Sequence, residues 1–119
     1  GAGPPPIKTK DGWLLIYHAV DDKQSYKYQI GAMLLNIDDP TKVLSRTSQP
    51  ILSPTHWYEN EGYKGGVVYP CGAAVINDRL NIYYGGADTY VCHASTSLDD
   101  ILSLLRAERQ TAPKKIIIN

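Results

Sequence analysis

The stretch that decides the fold runs from Val67 to Ala94 and reads VVYPCGAAVINDRLNIYYGGADTYVCHA. Short apolar runs and alternating apolar and polar residues predict three strands, at residues 67–76, 79–84 and 90–92. Asn77-Asp78 is typical of a tight turn, and Gly85-Gly86 is expected to end the second strand. Asp88 therefore lies in a loop between two strands, where small all-β domains usually place ligand-contacting groups.

The residues before this stretch carry the same kind of pattern. Four strands are predicted there, at residues 7–9, 13–20, 28–36 and 42–47. GAGPPP at residues 1–6 predicts a rigid loop, because proline cannot donate to a sheet, and Asp11-Gly12 predicts a two-residue hairpin turn. Gln49–Gly66 has no sustained period, so a long connecting loop is predicted there.

The two halves of the chain match each other in sequence. Setting Pro4 over Pro70 aligns Leu14, Ile16 and Tyr17 with Leu80, Ile82 and Tyr83 without a gap. Repeated small antiparallel sheets are typical of the blades of a β-propeller. We therefore expect one blade at residues 1–48, a connecting loop at 49–66 and a second blade at 67–119. Two blades do not close a propeller, so another segment or another copy of the chain is expected to cover the exposed sheet edges.

One helix is predicted after the last strand of the repeat. Ser97 is suited to cap its N-terminus, and Asp99 and Asp100 fall in the first turn, where the helix dipole favours acids. The helix is expected to run from Leu98 to Arg109, with Pro113 ending it and a last strand at residues 115–119. The predicted fold class is all-β: two propeller-like antiparallel blades with one short C-terminal helix.

Composition excludes several classes of function. Lysine and arginine together number 12, aspartate and glutamate also number 12, and this balance gives no basic patch for nucleic acid or an anionic membrane. No apolar run approaches the roughly 20 residues that span a bilayer. Cys71 and Cys92 are too few for a disulfide scaffold, and both are predicted to be reduced thiols in or near the core. Nothing in these residues addresses the chain to export, and a cytoplasmic location is expected.

Six motifs, in order and spacing, resemble those of glycoside hydrolase family 130. They are GAGPPP at 1–6, WLLIYH at 13–18, IGAMLL at 30–35, DPTKV at 39–43, VVYPCG at 67–72 and YYGGADT at 83–89. The resemblance implies the C-terminal two blades of a five-bladed β-propeller. It also implies a glycosyltransferase-type mannoside phosphorylase, which cleaves β-mannosidic bonds with inorganic phosphate as co-substrate, or one of the family's hydrolases. No cofactor is implied.

The resemblance also implies which residues contact the substrate. Tyr17, His18 and Asp88 would form the wall of a sugar subsite for a β-mannoside or related oligosaccharide, and it stays open whether His18 faces sugar or phosphate. The general acid and the phosphate-binding arginines of the family lie upstream of GAGPPP, so no catalytic residue and no metal ligand is assigned here. The chain departs from the family pattern at Ala19 and at Gly86. It also departs at Lys64-Gly65-Gly66, a position where the family often has a Pro-Asn pair.

Each of these residues has a structural interpretation as well. Asp88 is also suited to cap the turn that follows Gly85-Gly86. Tyr17 and His18 are strand neighbours, so they point to opposite faces and only one of them faces a given pocket. His56, Trp57 and Tyr58 form either a lid over a sugar or an anchor for their loop. His93 is expected to be structural, since adjacent Cys92 points away from it.

A function without turnover remains open as an alternative. One carboxylate without a phosphate clamp does not make a competent site, because glycosidic cleavage needs a positioned acid and a second group opposite it. The alternative is a non-catalytic carbohydrate-binding or structural propeller fragment.

Overall fold

The structure is a computed structural model and describes residues 1–111. The first antiparallel sheet has the order β1 (Ile7–Thr9), β2 (Gly12–Asp21), β3 (Gln24–Leu35) and β4 (Val43–Arg46). The second has the order β5 (Val68–Ile76), β6 (Arg79–Gly86) and β7 (Tyr90–Ser97). The helices are α1 (Trp57–Asn60) and α2 (Leu98–Thr111). The strand predicted at residues 115–119 lies outside the described residues.

The strand register reproduces the repeat found in the sequence. Ile16 of β2 pairs with Ala32 of β3, and the aligned residue Ile82 of β6 pairs with Ala94 of β7. Leu14, Ile16 and their counterparts Leu80 and Ile82 are all buried. The predicted fold class, two propeller-like antiparallel sheets with a short C-terminal helix, is confirmed.

The hairpin turns follow the backbone preferences of their residues, with one correction. Asn77 and Asp78 join β5 to β6 with φ angles of 49° and 60°, the left-handed region that two-residue hairpins require. The turn between β1 and β2 consists of Lys10 and Asp11, since Thr9 pairs with Gly12. The prediction of Asp11-Gly12 as the turn is therefore wrong by one residue. Gly12 instead begins β2, at a φ of 136° that only glycine adopts easily.

Replacing Gly12 with alanine is expected to lower the free energy of unfolding by about 1 to 3 kcal/mol, the usual cost of a strained backbone conformation. A Cβ atom at this position would lie 2.3 Å from the Leu35 carbonyl oxygen. Relieving this clash requires the backbone of β2 or β3 to move, because the contact atom is not on a flexible side chain. Urea denaturation measures the change. Gly85→Ala is the matched control, because its Cβ meets nothing nearer than the Tyr69 carbonyl at 4.0 Å. Equal stability of the Gly12→Ala and Gly85→Ala variants would contradict the conclusion that the backbone at position 12 requires glycine.

The core lies between the facing sides of the two sheets and is closed at one end by α2. Its fully buried side chains come from both sheets and the helix, and they include Leu14, Ile30, Val68, Leu80 and Leu102. Both cysteines are free thiols. Cys92 is buried on β7 as predicted, whereas the core or near-core prediction for Cys71 is wrong: it is exposed on β5, where the strand register shifts between Pro70 and Gly72.

Helix α2 begins where the sequence predicts and ends two residues later than expected. The Ser97 hydroxyl accepts a hydrogen bond from the Asp100 N–H at 3.4 Å, as an N-cap residue does. Lys10 pairs with Asp99 at 3.2 Å and Asp11 pairs with Arg106, so the helix is tied to the first hairpin as well as to the core. Neither helix of the described part is long and apolar enough to cross a membrane.

The segment predicted as a plain connecting loop is more ordered than its sequence suggests. It runs along the part of β3 that does not pair with β4, where the Ile30 N–H donates to Leu52 O at 2.9 Å and the Tyr28 N–H donates to Gly66 O at 2.8 Å. Between these two contacts it forms α1, a single helical turn that was not predicted. These contacts hold the segment against the first sheet and bring it to the site described next.

Candidate functional site

The candidate site is a cleft of about 180 Å³ where the two sheets meet. We call it the Asp88 cleft and define it by its lining residues, Tyr28, Lys64, Val67, Tyr69 and Asp88. Tyr28 comes from β3 and Tyr69 from β5, so each sheet supplies one aromatic ring. The residues between α1 and β5 supply Lys64, and the β6–β7 turn supplies Asp88.

Asp88 is the central residue of the three-residue hairpin loop Ala87–Thr89, since Gly86 pairs with Tyr90. Ala87 and Asp88 have φ angles of 49° and 54°, and the Thr89 N–H donates to Gly86 O at 3.0 Å. β6 runs two residues further than predicted, because Gly85 and Gly86 still pair with β7. A Cβ on Gly86 would lie 2.8 Å from both the Cys92 Sγ and the Tyr58 carbonyl oxygen, so glycine at this position allows Tyr58 to pack closely on the end of β6.

The Asp88 side chain is not the cap of this turn. It is exposed, and the side-chain hydrogen bonds of the turn belong to Thr89. The Thr89 hydroxyl donates to Ala87 O at 3.1 Å and accepts from the Tyr63 N–H at 2.8 Å. Asp88 lines the cleft, and its exposed carboxylate is available to accept hydrogen bonds from hydroxyl or amide donors of a ligand.

His18 stands behind the aromatic wall of the cleft. Its ring stacks on Tyr69 with 4.3 Å between centroids and lies 6.1 Å from Tyr28. Burial lowers the pKa of His18. Its Nδ1 atom is buried and has no hydrogen-bond partner among the described residues. The imidazole is thus held mainly in its neutral form, where it supports the two tyrosines.

Tyr17 lies on the opposite face of β2, as strand alternation requires. Its ring covers Gly31, where a Cβ atom would come within 2.5 Å of the ring. It lines a different cleft, of about 250 Å³, together with Arg46 and Thr47. The structure thus brings His18 and Asp88 to the two sides of one tyrosine pair and separates Tyr17 from them. The sugar-contacting role of all three residues remains a prediction.

Glu59 does not line the cleft but holds the segment that carries Lys64, and the sequence did not single it out. Its side chain is 0% exposed. One carboxylate oxygen accepts from the Thr55 and His56 N–H groups at 2.9 Å each, and the other accepts from the Tyr84 hydroxyl at 2.6 Å. Burial raises the pKa of Tyr84, and the bond to Glu59 raises it further, so the phenol stays protonated as the donor.

The backbone of Glu59 fixes the other end of the same segment. Its carbonyl oxygen accepts from the Gly66 and Val67 N–H groups at 3.1 Å each. Within the enclosed loop, the Lys64 N–H donates to Ala87 O at 3.1 Å. The loop that carries Lys64 is thus tied to the turn that carries Asp88. The sequence signal that could have identified Glu59 is weak. An acid at the third position of a helix can reach back to the free N–H groups at the helix start, as Glu59 does in α1.

The other residues considered from the sequence lie away from the Asp88 cleft. Trp57 packs edge-on to Tyr90 at 5.4 Å, and Tyr58 packs against the core, which favours the anchor over the lid. His93 lies 2.8 Å from the Asn81 side-chain oxygen and 5.0 Å from the Tyr83 ring. Across residues 1–111, no group of three or more histidine, cysteine or acidic side chains is arranged to hold a metal ion.

This arrangement is suited to binding a neutral polar ligand. Two tyrosine rings offer apolar faces, the carboxylate accepts hydrogen bonds and the lysine donates them. Bond cleavage would need a positioned acid together with a second reacting group.

Comparison with known proteins identifies relatives over nearly the whole chain. The sequence profile of glycoside hydrolase family 130, described as β-1,4-mannooligosaccharide phosphorylase, matches residues 1–107. A 1,2-β-oligomannan phosphorylase of Thermoanaerobacter sp. is 52% identical over 101 residues, covering 85% of this chain and 33% of the relative. A β-1,4-mannooligosaccharide phosphorylase of Ruminococcus albus is 41% identical over 110 residues, covering 90% of this chain and 33% of the relative.

A solved structure is also similar. The β-1,2-mannobiose phosphorylase of Listeria innocua, in complex with β-1,2-mannobiose, matches with a TM-score of 0.84 and 44% identity, over 91% of this chain and 30% of that one. The chain therefore spans about a third of the length of these relatives.

Proposed function

Because the chain belongs to glycoside hydrolase family 130, we propose that it supplies the sugar-binding wall of a β-mannoside phosphorylase. The observation that carries the proposal is the Asp88 cleft, where a carboxylate and an amine face two tyrosine rings. In the proposed reaction a mannosyl group is transferred from an oligosaccharide to inorganic phosphate.

The chemistry of the cleft supports a sugar as its ligand. A pyranose has an apolar face that packs on an aromatic ring, while its hydroxyls both donate and accept hydrogen bonds. A carboxylate that accepts from such hydroxyls forms charge-assisted bonds, which are stronger than neutral ones. Relatives named for β-1,2 and for β-1,4 linkages match the chain about equally in length, so the proposal extends to β-mannosides of either linkage.

The general acid and the phosphate-binding groups would come from the remaining blades of a protein as long as the relatives. Those blades would also cover the outer face of the second sheet. Tyr83 on this face is 42% exposed and Val91 is 94% exposed, so the face offers apolar surface that a neighbouring blade could cover. A location in the cytoplasm, where Cys71 and Cys92 would stay reduced, belongs to the same proposal.

The test compares the 119-residue chain with a complete protein that contains it. The complete protein, given β-mannobiose of either linkage and phosphate, is expected to release mannose 1-phosphate. The chain alone is expected to release none, because its cleft has a single carboxylate. Release of mannose without phosphate would indicate hydrolysis. A complete protein that binds mannobiose without any turnover would favour the non-catalytic carbohydrate-binding alternative.

A further inference from the structure

Lys64 belongs to the loop in which this chain departs from the family pattern, and the structure brings it into the Asp88 cleft. The backbone explains how. The Lys64 N–H donates to Ala87 O at 3.1 Å, and the neighbouring Tyr63 N–H donates to the Thr89 hydroxyl at 2.8 Å. The pair Tyr63-Lys64 is therefore attached to the β6–β7 loop on both sides of Asp88, Lys64 at Ala87 and Tyr63 at Thr89.

The glycines around Lys64 allow this close approach. A Cβ on Gly62 would lie 2.5 Å from the Thr89 hydroxyl, and one on Gly65 would lie 2.4 Å from the Asn60 carbonyl. Gly66 has a φ of 74°, a conformation that other residues rarely adopt. The glycine-rich sequence thus lets the loop press against the β6–β7 turn, which fixes the point from which the lysine side chain leaves the backbone.

The ammonium group is held over an aromatic ring of the cleft. Lys64 Nζ lies 4.2 Å from the centroid of the Tyr28 ring, within the range of a cation–π contact. The ion pairs between described residues are Lys10 with Asp99 and Arg106 with Asp11, and neither involves Lys64. Its three donor hydrogens are therefore not committed to a carboxylate within the described part of the chain.

We propose that Lys64 is a specificity-determining residue. Its ammonium group donates a hydrogen bond to one sugar hydroxyl, and the neighbouring hydroxyl of the same sugar donates a hydrogen bond to Asp88. The inference rests on the proposed function and deepens it, because it assigns a contact to this chain's own loop. The opposite charges of the two residues decide the class of ligand. An anion such as phosphate is repelled by Asp88 and a cation by Lys64, whereas a neutral diol satisfies both.

The experiment uses the complete protein and the variant Lys64→Met, which keeps an unbranched apolar side chain one atom shorter than lysine but removes the charge. Loss of one hydrogen bond to a charged group is expected to raise the KM for the β-mannoside about tenfold. The KM for phosphate and the melting temperature are expected to stay at wild-type values. Lys64→Arg, which keeps the charge, is expected to retain most of the affinity.

Lys27→Met is the matched control. Lys27 also lies over a tyrosine, with 5.8 Å between Nζ and the Tyr26 centroid, but it does not line the Asp88 cleft. Unchanged mannoside KM in Lys64→Met, or a rise confined to phosphate, would overturn the inference while leaving the proposed function standing.

Failure of the proposed function has a different signature. If the wild-type protein has no turnover, calorimetric titration with mannobiose still tests Lys64, because binding that weakens about tenfold in Lys64→Met supports the contact without catalysis. Wild-type protein that neither turns over nor binds mannobiose would overturn both proposals.

Discussion

Replacing Glu59 with alanine is expected to lower the free energy of unfolding of the chain by about 3 to 5 kcal/mol, because it breaks a hydrogen-bond network centred on a buried side chain. Glu59 is fully buried, and its carboxylate accepts hydrogen bonds from Thr55, His56 and Tyr84. The substitution leaves the buried Tyr84 hydroxyl without an acceptor, whereas Thr55 and His56 are exposed residues whose N–H groups water can reach. It also leaves a cavity beside Tyr84. Each unmet buried donor typically costs about 1 to 3 kcal/mol.

Urea denaturation of the chain measures the loss of stability, and two further variants serve as comparisons. Glu61→Ala removes an exposed acid from the same loop, and its effect should stay within about 0.5 kcal/mol. Tyr84→Phe removes a single donor and should fall between the two. If Glu59→Ala unfolds at the same urea concentration as Glu61→Ala, the buried carboxylate does not hold the loop, and the route by which Lys64 reaches the cleft needs another explanation.

Much of the fold was predictable because its determinants are local. Alternation along β2 and β6 identifies the buried face, and Asn77-Asp78 favours the left-handed angles of a hairpin turn. The repeat then pairs Ile16 and Ile82 with equivalent partners in the next strand. The error at the first turn is also local: Gly12 serves a strained strand position beside Leu35 rather than the turn itself.

The site was predictable only in part, because its residues meet through contacts distant in sequence. Glu59 looks like a solvated acid in an aperiodic loop, and its role depends on Tyr84, which lies 25 residues further along the chain. The placement of the Lys64 ammonium group depends in the same way on Tyr28, a residue distant in sequence. Alternation correctly separated Tyr17 from His18, but the face that joins the cleft is decided by how the two sheets pack, which neither strand encodes alone.

Replacing Asp88 with asparagine is expected to reduce the catalytic efficiency of the complete protein about 10- to 100-fold, the loss of one charge-assisted hydrogen bond to the sugar. The backbone should not be disturbed. Asp88 has a φ of 54°, and asparagine tolerates this left-handed conformation as readily as aspartate does. The turn's side-chain hydrogen bonds come from Thr89, so they survive the substitution.

Asp78→Asn provides a control matched in chemistry and backbone geometry. Asp78 has a φ of 60° and, like Asp88, is the second central residue of a β-turn, here in the two-residue hairpin at the other end of β6. Its substitution should leave both efficiency and melting temperature at wild-type values. If Asp88→Asn also keeps wild-type efficiency while its melting temperature falls, Asp88 serves the turn alone. The sugar-binding wall would then have to be assigned to other residues of the cleft.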